Sequence, residues 1–145
     1  MKICIVIANY YPKISKDLLF GASNVLKGNG LKNYKKITVP GIFEIPVIIS
    51  RNVNSFDAFI ALGCVIKGET PHFDFISKAT INAIMNLSIT YKKPIGNGII
   101  TCLNKKQASE RSNPHKKDKG GEAAKAILSV LEISKNDTKW GSSKS

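Results

Sequence analysis

Arginine, acidic side chains and cysteine are the scarce groups in this chain of 145 residues. Of its 22 basic residues only Arg51 and Arg111 are arginine, and with 10 acidic residues the net charge is +12. Such a balance invites a nucleic-acid partner. The lysines, however, fall in short pairs (Lys35-Lys36, Lys92-Lys93, Lys105-Lys106, Lys116-Lys117) with no aromatics interleaved among them, so a stacking, backbone-tracking groove is not written here. Where a lysine-biased chain does use arginine, a planar two-pronged donor is wanted. Cys4, Cys64 and Cys102 are odd in number, sit inside apolar runs and lack CxxC or Cys/His spacing. They read as small core residues, excluding a disulfide framework and a metal site. No apolar run approaches the roughly 18 residues of a membrane span. The opening KICIVIAN carries no small-residue cleavage site, so a cytoplasmic protein is expected. Neither GxGxxG nor a P-loop occurs, and the GNG at 28–30 is a helix stop, which leaves a nucleotide cofactor unsupported.

What is present is an alternation. KICIVIA at 2–8 is a near-continuous β-branched run, the mark of a parallel strand buried on both faces. A helix follows from about Ser15, taken as its N-cap, to Gly28 or Gly30. KKITVP is a short second strand. FEIPVIISRNV reads as a helix with Glu44 and Pro46 near its first turn. DAFIALGCVI at 57–66 is a third strand, followed after Pro71 by a long helix ending in lysines that suit its negative pole. IGNGIITC at 95–102 is the fourth strand, Asn104 caps a short helix to about Arg111, and GEAAKAILSVLEI closes the fold. The expectation is one α/β domain at 1–135, a three-layer flavodoxin-like sandwich with a four-stranded parallel sheet and helices on both faces. Residues 136–145 read as a tail in which Trp140 docks.

In such a sheet ligands bind beyond the carboxyl ends of the strands, and the polar residues of this chain collect there. After the third strand come Lys67, Gly68, Glu69, Thr70, Pro71 and His72. Gly68 bends freely, Thr70 suits an N-cap and Pro71 the first helical position, so the amides of His72 and Phe73 face outward, an arrangement that receives phosphate. An imidazole on that turn can shuttle protons beside a bound anion. Tyr10 and Phe43 offer flat faces for a heteroaromatic ring, and Glu44 can accept from hydroxyls. Taken singly, each of these residues is equally at home capping or packing.

The segments VPGIFEIP, GCVIKGETPHFDFI, ASER and DKGGEAA, in that order and spacing, resemble the 6,7-dimethyl-8-ribityllumazine synthase family of riboflavin synthesis, over nearly the whole chain from Lys2 to about Ile133. The resemblance implies condensation of 5-amino-6-(D-ribitylamino)uracil with 3,4-dihydroxy-2-butanone 4-phosphate, without metal or organic cofactor. By the same resemblance Tyr10 stacks on the pyrimidine. Ile42, Phe43 and Glu44, with Cys64, Val65 and Ile66, line the ring and ribityl pocket. Glu69 and Thr70 hold the butanone phosphate, and His72 is the acid/base. Arg111 is implied as the phosphate-binding arginine and Lys119 as a lysine near the substrates, both from a neighbouring subunit of a pentamer or a multiple of one. Three positions depart from the family pattern: Asn97 replaces a frequent aromatic on the outer wall of the pyrimidine site, Leu103 a usual acid, and Tyr11 a small polar residue. A non-catalytic flavodoxin-like module that binds a flavin, lumazine or phosphorylated ligand is the alternative.

Overall fold

The computed structural model describes residues 1–69 and 71–144, with side chains through Asp137. Its first strand, β1 (Ile3–Ala8), is buried at every position, as a β-branched run between two helical layers must be. It leads into α1 (Pro12–Gly28), β2 (Lys35–Val39), a single 3₁₀ turn (Ile42–Glu44) and α2 (Ile45–Asn52). Then come β3 (Ala58–Ile66), α3 (Phe73–Tyr91), β4 (Ile95–Cys102), α4 (Lys105–Ser112) and α5 (Lys119–Lys144). The four strands are parallel in the order β2-β1-β3-β4, with β4 and the lysine-bearing β2 at the edges. This is the doubly wound order expected of a flavodoxin-like sheet.

Side-chain alternation divides the core in two. Ile3, Ile5 and Ile7 of β1 and Ala58, Ile60 and Leu62 of β3 pack with Leu18, Ala22, Ala124 and Ile127 from α1 and α5. The intervening Cys4, Val6, Phe59 and Ala61 pack with Ile45, Ile49 and Ile84 from α2 and α3. Three layers result. Among the described residues no helix is long and apolar enough to cross a membrane.

Glycines set the closest approaches on the first face. A Cβ on Gly120 would lie 2.0 Å from the carbonyl oxygen of Leu18, so α1 and α5 cross backbone to backbone. On β4, a Cβ on Gly96 would lie 2.4 Å from the Ala123 carbonyl oxygen, and one on Gly98 would lie 2.4 Å from the Leu62 side chain.

Several element boundaries differ from the sequence expectation. Helix α1 begins at Pro12, not near Ser15, because proline opens a helix without losing a hydrogen bond. Ser15 is no cap: its buried hydroxyl donates to the Ala8 carbonyl at 2.6 Å, tying α1 to the end of β1. Helix α5 starts at Lys119 and continues to Lys144, through the stretch read as tail. The docking of Trp140 lies outside the described side chains. Asn104 does cap α4 as expected, accepting from the Gln107 amide at 2.9 Å.

Candidate active site

The parallel register delivers the ends of β1, β2 and β3 to one rim. There, Tyr10, Pro40, Gly41, Ile42, Phe43, Glu44, Cys64, Val65 and Ile76 enclose a cleft of about 320 Å³. Tyr10 follows β1 and is 59% exposed, and Phe43, on the 3₁₀ turn, is 58% exposed. Large apolar rings left this open at a cleft mouth suit stacking on a flat ligand better than they suit folding. Glu44 is partly committed: its Oε1 accepts from the Gly41 amide at 2.9 Å, closing the 3₁₀ turn.

At the rim stands the loop between β3 and α3. It turns at Gly68, whose φ is +86°, and the Glu69 amide donates back to the Ile66 carbonyl at 3.3 Å. The Glu69 carboxylate accepts from the Tyr11 hydroxyl at 3.0 Å. Thr70 lies outside the described residues. The expected capping arrangement is shifted along the chain: α3 begins at Phe73, and His72 is its N-cap residue, with φ +64° and no side-chain cap bond. The first helical bond runs from the Ile76 amide to the His72 carbonyl. The amides that open the helix are therefore those of Phe73, Asp74 and Phe75, one residue later than expected. The positive pole of a 19-residue helix still points into the loop, with the exposed His72 imidazole beside it.

The other residues named from the sequence are not in this wall. Ile66 is buried in the core at the end of β3. Asn97 borders a separate hollow of about 70 Å³ with Ile81, Ile84 and Met85 of α3, and its Oδ1 accepts from the Ile99 amide at 3.1 Å. Lys119, the first residue of α5, pairs with Glu122 at 3.0 Å. Arg111, half-buried on α4, donates through Nη1 to the Thr101 carbonyl at 2.7 Å and contacts the Cys102 Sγ at 3.8 Å. One edge of its guanidinium is thereby fixed at the carboxyl end of β4.

Sequence reasoning missed two features. Ile76 closes the back of the cleft, and its place one turn after His72 on the sheet-facing side of α3 was the available signal. The second is the environment of Cys102. A hydrogen bond from Cys64, aided by the Arg111 guanidinium and opposed by burial, brings the Cys102 thiol down from 9.0 to about 7. That same bond, with burial, pushes the Cys64 thiol up. Both cysteines lie in runs that read as plain core, and nothing local reveals that two strands bring them together.

Fold and site together define a class: a doubly wound α/β protein whose strand-end cleft pairs exposed aromatics with a helix N-terminus and a histidine. The sequence model of the 6,7-dimethyl-8-ribityllumazine synthase family matches residues 1–135. A 6,7-dimethyl-8-ribityllumazine synthase of Bartonella tribocorum is 43% identical over 136 residues, covering 92% of this chain and 89% of that protein. One from Agrobacterium fabrum is 43% identical over 138 residues, covering 90% of this chain and 93% of its own. The protein named 6,7-dimethyl-8-ribityllumazine synthase 1 of Rhodopseudomonas palustris is 42% identical over 139 residues, with 91% and 85% covered. The chain belongs to the 6,7-dimethyl-8-ribityllumazine synthase family.

Proposed function

We propose that the chain condenses 5-amino-6-(D-ribitylamino)uracil with 3,4-dihydroxy-2-butanone 4-phosphate to give 6,7-dimethyl-8-ribityllumazine, phosphate and water. The observation that carries this reading is the juxtaposition of two recognition chemistries at one rim. A cleft with Tyr10 and Phe43 at its mouth suits a pyrimidine, and the N-terminus of α3 beside it suits a phosphate. The alternative of a silent flavin-binding or lumazine-binding module gives the His72 turn no task.

In the proposed sequence the 5-amino group adds to the butanone carbonyl, and water leaves to form an imine. Loss of a proton and of phosphate follows, and the ribitylamino nitrogen closes on the remaining carbonyl with loss of a second water. His72 moves protons in these steps, Glu69 and Thr70 hold the phosphate arm, and Ile42, Phe43, Glu44, Cys64 and Val65 shape the ring and ribityl pocket, with Ile66 supporting it from the core. No covalent enzyme nucleophile is needed. Holding two reactants in register supplies much of the acceleration of such a step.

The proposal extends to the assembly: a cytoplasmic homo-oligomer, a pentamer or a multiple of one, in which residues 1–135 form the catalytic unit and the end of α5 extends beyond it. Asn97 stands at the outer wall of the pyrimidine site, and Arg111 and Lys119 serve the neighbour's cleft. Their positions away from the chain's own cleft support this, as do the exposed Phe75, Met85 and Ile89 along α3. The direct test is to mix the protein with both substrates and follow lumazine fluorescence and phosphate release. Absence of both from a folded sample refutes the reaction. For the shared site, reassembling an inactive Arg111→Ala chain with an inactive His72→Ala chain restores activity. Proven subunit exchange without restored activity refutes it.

A further inference from the structure

Tyr10 and Tyr11 are consecutive, yet they face different tasks. Tyr10 is exposed at the cleft mouth. Tyr11 is half-buried, with its ring against the α1 side of the core and edge-on to Tyr10 at a centroid distance of 4.9 Å. Its backbone is also fixed, because it immediately precedes Pro12 and its carbonyl accepts the Ser15 amide at 2.9 Å. From this rigid base the hydroxyl reaches 58 residues along the chain to Glu69 Oε2, at 3.0 Å.

The loop it reaches is bounded by two left-handed residues, Gly68 at φ +86° and His72 at φ +64°. Glycine adopts that region freely, whereas histidine holds it only where its surroundings determine it. Glu69 follows Gly68 directly, so a bond at its carboxylate fixes the loop just before it turns into α3. The geometry points to Tyr11 as a positioning residue: its hydroxyl clasps Glu69 and locks the acid/base and phosphate loop to the pyrimidine-stacking Tyr10.

This inference rests on the reaction proposed above, and the experiment separates the two. Tyr11→Phe keeps the ring and its packing but removes the donor. Steady-state kinetics with each substrate varied in turn are expected to show the KM for butanone phosphate raised roughly 3- to 10-fold, the size of one net hydrogen bond on a solvent-facing pair. The turnover number falls, and the pyrimidine KM stays within about twofold. Glu69→Ala raises the same KM, and Tyr11→Phe added to it costs less than it does alone, because the shared bond is already gone. Equal kinetics for Tyr11→Phe and wild type, equal rises in both Michaelis constants, or additive effects in the double variant overturn the clasp. Should Tyr11→Phe fail to fold, Glu69→Gln carries the test: it keeps an acceptor for Tyr11 and restores much of what Glu69→Ala loses, and equal losses overturn the clasp. A folded wild type that forms no lumazine overturns the reaction and the clasp together, whereas an active wild type with an unaffected Tyr11→Phe overturns the clasp alone.

Discussion

Substituting Gly120 by alanine tests whether the crossing of α1 and α5 is as close as described. The added Cβ would meet three backbone atoms of Leu18: its oxygen at 2.0 Å, its carbonyl carbon at 2.8 Å and its Cα at 3.0 Å. Ordinary contact needs about 3.4 Å. No rotamer can relieve a clash with backbone, so one helix must move by more than an ångström. Overpacking of this kind costs typically about 1–3 kcal/mol, and more where the obstacle cannot turn aside. Against it stands the helix preference of alanine over glycine, about 1 kcal/mol. The net expectation is a loss of about 1–2 kcal/mol, which lowers the Tm of a domain of this size by roughly 2–8 °C. Gly28→Ala is the control. Its Cβ would meet nothing within 4 Å at the end of α1, so the propensity gain stands alone and stability is unchanged or slightly raised. Urea and thermal unfolding at matched protein concentration measure both, since association contributes to apparent stability. A Gly120→Ala protein as stable as Gly28→Ala would refute the close crossing. Because Lys119 is the residue before Gly120, the same displacement should also raise the KM for butanone phosphate.

His72→Ala is expected to lower turnover by about 10²- to 10⁴-fold with the fold intact by circular dichroism, and an unchanged rate at saturating substrates refutes its acid/base role. Arg111→Lys keeps the charge but loses both the anchor on Thr101 and the two-pronged geometry, so butanone phosphate should weaken by about tenfold and the pyrimidine little. Asn104→Ala removes the α4 cap and should cost about 1 kcal/mol in urea unfolding. For Cys102 the sign follows from a folded pKa of about 7 against an ordinary 9.0. The unfolded chain binds the extra proton between those values, so the Cys102 contribution to stability is full above pH 9 and is lost as pH falls through 7. The stability of the wild type relative to Cys102→Ala should therefore rise from pH 6 to 9, and a flat difference rejects the lowered thiol.

The sheet was legible because its signals are local. Unbroken apolar runs at β1 and β3, separated by helical spacing, dictate a parallel sheet covered on both faces, and β4 begins and ends where its pattern does. The start of α1 was misplaced because Ser15 looks like a cap, whereas its hydroxyl serves the Ala8 carbonyl, a tertiary bond that no window of sequence contains. The shift of α3 from Pro71 to Phe73 has a similar origin: His72 takes a left-handed conformation that only the surrounding loop can hold. The cleft residues at 40–44 were readable from their position after the second strand, whereas Cys64 and Val65, inside a run that reads as core, were indicated only by the family resemblance. The contacts of Arg111 with Thr101 and Cys102, and of Tyr11 with Glu69, join separate loops and needed the folded chain to be seen.

The two glycines of β4 place a limit on how this edge of the molecule can change. Gly96 is pinned by the backbone of Ala123 and Gly98 by Leu62 and the Ala61 carbonyl, so neither can acquire a side chain without moving α5 or the neighbouring strand. Between them Asn97 points to the other face, exposed, with its Oδ1 accepting from the Ile99 amide at 3.1 Å. Along this stretch of edge, mutation can explore chemistry at one position only. An exchange there gives up the bond from the Ile99 amide but pushes no backbone aside, which makes residue 97 the one adjustable dial in a stretch of strand that is otherwise fixed.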